Sequence, residues 1–189
     1  QTHQPSPWIN DYAAFSLMAV TGELKFKEDD RASWFSHKAE TAKPYYYGVY
    51  LADYDTRVEV TPTERAAMFR FTFPENEKSY ILLDAFFKGS MVKIIPEEKK
   101  IIGYCRNNSG GVPENFHNFF IAEFDKPFEI THTWNGDQLI EKSGDAEGEH
   151  VGAVIGFRTK KGEQVHVKVA SSFISPEQAK LNLDREIGN

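Results

Sequence analysis

Residues 1–12 concentrate side chains that could contact a ligand. Trp8 follows the two prolines of a QPSP run, and a loop stiffened by proline fixes an aromatic ring at little entropic cost. A flat ring of this kind is a stacking partner for the apolar face of a sugar. His3, Gln4 and Asp11 carry groups that could bind hydroxyls. The alternative is that Trp8 plugs the end of a folded domain and the three polar residues bind backbone amides.

A second polar set, Ser36, His37 and Glu40, lies in an FSHKAE run at residues 35–40. Adjacent Ser and His residues do not make a nucleophile and its base, because neighbouring side chains rarely face each other. A capped turn before the strand that starts at Tyr45 is the simpler interpretation. Participation in substrate binding is the alternative.

Acidic pairs at residues 29–30 and 97–98 suggest the two carboxylates that glycoside hydrolysis requires. Both pairs sit in turns with Lys or Arg, which are typical of solvated surface. Five further acidic residues between 137 and 149 lack the register of an EF-hand, and His and Cys are not spaced as zinc ligands. We therefore predict no catalytic residue and no metal ligand in this chain.

Composition narrows the class of protein. The chain has 189 residues, a length that suits one domain, and a net charge of −6, which argues against nucleic-acid binding. Aromatic residues make up 14%, enough for a core of large side chains or for sugar-stacking surfaces. Cys105 is the single cysteine and is expected to be a buried, inert thiol. No run of 18 apolar residues predicts a membrane span.

Residues 35–73 organise the predicted fold as a loop followed by three strands. The 57–61 segment alternates strictly, with Val58 and Val60 on one face. Phe69, Phe71 and Phe73 alternate in the same way from residue 67 onward. Pro62 is expected to interrupt the hydrogen-bond ladder.

About ten short strands separated by turns predict an all-β protein, an antiparallel β-sandwich. We expect residues 15–19 to pair with residues 23–27, and residues 117–124 to form a hairpin with residues 128–134. The acidic stretch up to residue 148 is interpreted as a long loop after a tight turn at residues 135–137. Residues 107–113 (NNSGGVP) give the strongest loop signal and are interpreted as a structural turn, with the rim of a site as the alternative.

The end of the chain switches to helical spacing. Ser175, Pro176 and Gln178 form a capping box with proline at the first helical position. Ala179, Leu183 and Ile187 follow on one face, and Gly188 is placed to end the helix. One C-terminal α-helix is therefore predicted.

Four sequence runs together resemble one family. They are THQPSPW at 2–8, FSHKAE at 35–40, PYYY at 44–47 and VASSFISPEQA at 169–179. The chain resembles, over nearly its whole length, the N-terminal β-sandwich domain of glycoside hydrolase family 92, the calcium-dependent exo-acting α-mannosidases.

The resemblance implies a supersandwich-like domain followed by a helical (α/α)6-barrel catalytic domain, with the active site at their junction. It implies inversion at the anomeric carbon, with calcium and the catalytic carboxylates held by the barrel. It also implies mannose-containing glycans as substrate, an α-1,2-mannosidase activity and an extracellular or periplasmic location. The resemblance places substrate contacts in the segment that carries Thr2, His3, Gln4, Trp8 and Asp11.

The same resemblance implies that catalytic parts lie outside this sequence. The family has an upstream segment with a glycine-rich motif, which this chain lacks. We expect residues 1–174 to form the sandwich without its first strands, and residues 175–189 to form a helix that leads to an absent catalytic domain. An isolated chain of this kind should be inactive.

Three hypotheses follow. The first is the substrate-lining half of an inverting exo-α-mannosidase. The second is a stand-alone carbohydrate-binding module that uses Trp8 and exposed Tyr residues. The third is an interaction domain whose C-terminal helix docks a partner.

Overall fold

A computed structural model describes residues 14–188. In this part of the chain two antiparallel sheets face each other and one α-helix, α1 (Pro176–Ile187), follows the last strand. The strands are β1 (Ser16–Thr21), β2 (Thr41–Lys43), β3 (Tyr46–Leu51), β4 (Thr56–Pro62), β5 (Ala66–Phe73), β6 (Asn76–Asp84), β7 (Ser90–Ile95), β8 (Lys100–Cys105), β9 (Asn118–Phe124), β10 (Ile130–Asn135), β11 (Gln138–Glu141), β12 (Asp145–Gly148), β13 (Val151–Thr159) and β14 (Glu163–Ser172).

The smaller sheet has the strand order β1-β6-β13-β10-β11, and the larger has the order β12-β7-β8-β9-β14-β5-β4-β3-β2. Their inner faces share one core, which includes Phe71, Phe120, Trp134 and Leu83. The architecture confirms the predicted all-β sandwich with one C-terminal helix. No helix within residues 14–188 is long and apolar enough to cross a membrane.

The predicted meander of β3, β4 and β5 is confirmed. Val58 pairs with Phe71 and Val60 pairs with Phe69, so their side chains share the inner face. The rings of Phe69, Phe71 and Phe73 stack in a row, with centroids 6.0 and 6.3 Å apart. Pro62 does not interrupt the ladder, because it is the last residue of β4 and lies opposite Ala67.

Two predicted hairpins are wrong, and both errors concern long-range pairing. Residues 23–27 form no strand, and β1 pairs instead with β6, about 60 residues away. The segment from β9 to β10 is a crossing between the two sheets, because β9 pairs with β8 and β14 whereas β10 pairs with β11 and β13. The ring of Phe128 meets that of Phe124 edge-on at 5.1 Å inside the crossing.

The acidic stretch before residue 148 is not a long loop. It contains β11, joined to β10 by the predicted tight turn at Gly136 (φ +56°), and β12, which forms the edge of the larger sheet beside β7. A positive φ at the turn favours glycine, which explains why residue 136 suits this position.

Helix α1 begins as predicted. The hydroxyl of Ser175 accepts a hydrogen bond from the Gln178 amide at 3.1 Å. The side chain of Gln178 does not reach back to the cap and instead donates to Asn182. Ala179 and Leu183 are buried against the outer face of the larger sheet, where Ile121 and Ala170 belong to the same apolar cluster. The helix is therefore part of the domain and not a free extension of it.

Candidate functional site

A cavity of about 1060 Å³ lies where several strands of the sandwich begin or end on the same side. Its wall comes from the start of β1, the β2–β3 and β4–β5 turns, the segments after β6 and β8, and the end of β14. Aromatic rings dominate this wall, with Phe15, Tyr46, Tyr47, Phe69, Phe86 and Phe87. Asn107, Asn108 and Ser109 add polar groups at the rim. An apolar cavity with a few polar groups is the usual form of a small-molecule site.

Asn107 fixes the backbone where β1 begins. Its Oδ1 accepts a hydrogen bond from the Ala14 amide at 2.9 Å, and its Nδ2 donates to the Ala14 carbonyl at 2.6 Å. The amide thus imitates one rung of a strand ladder. Because Ala14 also lines the cavity, Asn107 holds the first described residue of the chain in the cavity wall.

The turn after β6 is strained. Phe86 and Lys88 have φ values of +56° and +71°, and Gly89 follows at +97°. A bulky residue in the left-handed region costs on the order of 1–3 kcal/mol and persists only where its surroundings enforce it. Here the Phe86 amide donates to Asp84, and the Ser90 hydroxyl donates to the Phe86 carbonyl.

A buried charged cluster supports the turn from below. Asp84 is 1% exposed and accepts from Arg31 at 2.5 Å and from the His150 ring at 2.8 Å. The His150 ring in turn contacts Phe87, with centroids 4.2 Å apart. The Glu149 carboxylate accepts a hydrogen bond from the Lys88 amide, and the Glu149 carbonyl accepts one from the Gly89 amide. The cluster therefore holds both sides of the strained turn in place.

His37, Glu40 and Tyr47 form a chain of hydrogen bonds that ends at the cavity wall. Nδ1 of His37 lies 2.7 Å from one oxygen of Glu40, and the Tyr47 hydroxyl donates to the other at 2.6 Å. These bonds, from Tyr47 first and then His37, hold the pKa of Glu40 below its ordinary value. Burial and then Glu40 raise the pKa of Tyr47 to about 12. Tyr47 is thus a neutral, oriented ring at neutral pH.

Ser36 has a different role from its two neighbours. Its hydroxyl accepts from the Lys38 amide and its carbonyl accepts from the Ala39 amide. This is the capped turn that the sequence favoured. The structure therefore joins His37 and Glu40 to the cavity through Tyr47, and it places Ser36 in the turn that carries them.

The outer face of β3, β4 and β5 carries an ion-pair network. Arg70 donates two hydrogen bonds to Glu59, at 2.7 and 2.8 Å, and the Tyr46 hydroxyl adds a third at 2.6 Å. Arg70 is the largest cause that lowers the pKa of Glu59 to about 2, followed by Tyr46 and the charge of Arg57. Because Tyr46 also lines the cavity, this network orients a second ring of the wall.

Thr2, His3, Gln4, Trp8 and Asp11, the predicted substrate contacts, lie outside the described residues. Sequence reasoning missed the roles of Tyr47 and Phe86–Phe87. It had the signal for Asn107, since the NNSGGVP run was recognised as a loop and a site rim was its alternative interpretation. The strained turn left no comparable signal, because phenylalanine is a rare choice for a left-handed backbone.

The described residues do not fit a metal site. Within residues 14–188 no group of three or more His, Cys, Asp or Glu side chains is arranged to hold an ion. Cys105 is buried, and its burial raises the pKa of the thiol. The described cavity wall offers aromatic rings and amide and hydroxyl groups, with Lys43, Glu64 and Arg65 as its charged members.

Comparison with known proteins agrees with the fold. The model of the glycosyl hydrolase family 92 N-terminal domain matches residues 1–172. No curated protein matches the chain. Among solved structures, the family GH92 inverting mannosidase BT2199 from Bacteroides thetaiotaomicron VPI-5482 is 43% identical, with a TM-score of 0.94, over 100% of this chain and 26% of that chain.

A second solved relative is the family GH92 α-mannosidase BT3965 from Bacteroides thetaiotaomicron. It is 33% identical, with a TM-score of 0.83, over 93% of this chain and 26% of that one. Its complex with mannoimidazole matches with a TM-score of 0.78 and 33% identity, over 90% of this chain and 25% of that one. The chain thus spans about a quarter of the length of these relatives and belongs to glycoside hydrolase family 92, as an N-terminal domain of that family.

Proposed function

We propose that this domain lines the substrate site of an inverting exo-α-mannosidase that cleaves terminal α-1,2-linked mannose. In this proposal a helical barrel domain provides the catalytic acid and base. The sandwich provides the aromatic and polar wall against which the glycan binds. The identity of the relatives as mannosidases supports the substrate class.

The observation that carries the proposal is the make-up of the cavity. An inverting glycosidase needs two carboxyl groups about 6.5–9.5 Å apart, one as acid and one as base. Among the described residues that line the cavity, Glu64 is the one carboxylate, and Arg65 donates to it. The cavity therefore has the rings to hold a sugar without the pair of carboxyls to cleave it.

The N-terminal segment completes the wall in this proposal. Asn107 holds Ala14 in the cavity wall, and residues 1–13 directly precede Ala14 in the sequence. Thr2, His3, Gln4, Trp8 and Asp11 are then near enough in sequence to reach a bound sugar. Trp8 would stack on the ring, and the polar side chains would bind its hydroxyls.

Calcium belongs to the proposed barrel and not to the described part of the sandwich, where no suitable cluster of ligands exists. Extracellular or periplasmic glycans are the proposed substrates, and export of the enzyme is part of the proposal. Fractionation of the native host would test the location.

The proposal is tested by the mannosidase activity of this chain beside the same chain extended to include a family 92 barrel. The substrate is α-1,2-mannobiose, and both samples contain calcium. We expect release of mannose in the extended form only. Turnover by this chain alone, abolished by replacing one of its own carboxylates, would overturn the proposal.

A stand-alone carbohydrate-binding module is the second candidate. It is favoured by exposed rings away from the cavity, of which Trp34 is 69% exposed on a loop whose backbone is pinned by Asp53 and Ala52. Titration calorimetry with mannose and mannobiose separates the two candidates. If the domain only lines the substrate site of a larger mannosidase, this chain alone should give no saturable heat. If it is a binding module, this chain alone should give a saturable binding isotherm.

A further inference from the structure

We propose that Phe87 is a stacking platform for a sugar ring of the glycan substrate. The inference rests on the proposed function and assigns a ligand contact to a residue that sequence reasoning did not single out. Its ring lines the cavity and is 52% exposed.

The first argument is the position of the ring. One side of Phe87 meets His150, whose centroid lies 4.2 Å away. His150 is held by the buried Asp84, so it is a firm backing for the ring. About half of the surface of Phe87 stays accessible. An aromatic ring that is held by a neighbour, half-exposed and in the wall of a cavity can receive a flat apolar surface.

The second argument is the backbone that presents the ring. Phe86 and Lys88, which flank Phe87, both have left-handed backbone angles. Strained residues of this kind cluster at ligand contacts, where the surrounding structure enforces them. Three hydrogen bonds enforce the strain here. The Phe86 amide donates to Asp84, the Lys88 amide donates to Glu149, and the Ser90 hydroxyl donates to the Phe86 carbonyl. A turn made only to connect β6 to β7 has no need of an exposed phenylalanine.

The third argument is the chemistry beside the ring. The Lys88 ammonium donates to the Asn108 carbonyl, which ties the turn to the polar loop after β8. Ser109 on that loop is exposed and lines the same cavity. A hexose has an apolar face of C–H groups and a rim of hydroxyls. An aromatic ring with hydroxyl and amide groups close by therefore matches a neutral sugar better than a charged ligand.

The test uses the barrel-extended enzyme with α-1,2-mannobiose as substrate. Phe87→Ala and Phe87→Leu remove the ring, and Phe87→Tyr keeps it. Ile140→Ala is the control, since Ile140 is also a large apolar residue, 44% exposed, and does not line the cavity. The positive φ values belong to the neighbours of Phe87, so none of these changes places a new residue in the left-handed region.

We expect kcat/KM to fall about tenfold in Phe87→Ala and Phe87→Leu, the loss of one aromatic contact. Phe87→Tyr and Ile140→Ala should match the wild type, and all melting temperatures should agree. Equal rates in Phe87→Ala and wild type would overturn the inference. So would a leucine variant as active as the tyrosine variant, or a loss of rate explained by a lower melting temperature. An inactive wild type would overturn the proposed function itself, and this inference with it.

Discussion

Glu59 shows how side chains at the cavity are oriented by charge. Two bonds from Arg70 and one from Tyr46 meet on this carboxylate, whose side chain is 11% exposed. They lower its pKa from the ordinary 4.5 to about 2. The network thus links the stability of the sheet to the position of the Tyr46 ring.

The lowered pKa of Glu59 predicts part of the acid sensitivity of the fold. A carboxyl with a depressed pKa in the folded state contributes stability that is complete above about pH 4.5 and is lost as the pH falls toward 2. Glu59→Gln should lower the free energy of unfolding by roughly 1–2 kcal/mol at neutral pH, after allowance for solvent screening of the two arginines. The free energy of unfolding of Glu59→Gln should also fall less steeply than that of the wild type as the pH decreases.

Urea denaturation at several pH values between about 7 and about 3 measures both effects. Glu97→Gln is the control, since Glu97 is an exposed carboxyl on the turn after β7. The prediction would be contradicted if the free energy of unfolding of Glu59→Gln fell as steeply with decreasing pH as that of the wild type.

Asn107 is predicted to hold the N-terminal segment at the site. Asn107→Ala removes both bonds to Ala14, so the Ala14 amide should exchange its hydrogen at least about tenfold faster. Asn107→Asp keeps an acceptor for the Ala14 amide, so the exchange rate of this amide should lie between those of the wild type and of Asn107→Ala. Hydrogen exchange followed by NMR measures the rates, with the amides of β13 as internal reference. Unchanged exchange at Ala14 in the alanine variant would show that the clamp is not needed.

Sequence reasoning at this scale succeeded for contacts within a few residues. The spacing of Ser36, His37 and Glu40 allowed a turn, and the structure has one. It could not find Tyr47 as the partner of Glu40 or Asn107 as the partner of Ala14, since the latter pair is separated by 93 residues. Such pairs depend on which strand ends meet, and alternation along one strand does not encode that.

At the scale of elements, strand patterns were informative and pairings were not. The alternation in β4 and β5 identified the inward residues, and Phe71 and Phe73 are buried. The partner of β1 could not be deduced, because a turn at Gly22 is compatible with a hairpin and with a departure from the sheet. The crossing from β9 to β10 has the same local pattern as a hairpin.

Helix α1 is predicted to be stabilised by its packing on the larger sheet. Leu183 is 1% exposed within the cluster that contains Ile121 and Ala170. Leu183→Ala should lower the free energy of unfolding by about 2–4 kcal/mol, because it leaves a cavity under the helix.

Leu181→Ala on the same helix is the matched control. Leu181 is 39% exposed, so its truncation should cost less than about 1 kcal/mol. Urea denaturation of the two variants side by side gives the comparison. Equal losses of free energy of unfolding in the two variants would contradict the prediction, because packing of Leu183 on the sheet would then add nothing to stability.

At the scale of the whole molecule, the sandwich is a scaffold with one chemically equipped end. The strand ends meet there with aromatic rings, with Ala14 held by Asn107, and with a strained turn. The family could be recognised from four short sequence runs. The cavity could not, because its wall combines residues that lie far apart in the chain.

The most direct measurement is a crystal structure of the barrel-extended enzyme with mannoimidazole or an uncleaved mannobiose. The account predicts a sugar within about 4 Å of Phe87, or of one of residues 1–13, with catalytic carboxylates approaching from the barrel. A sugar bound with no atom of this domain in contact would contradict the claim that the sandwich lines the substrate site.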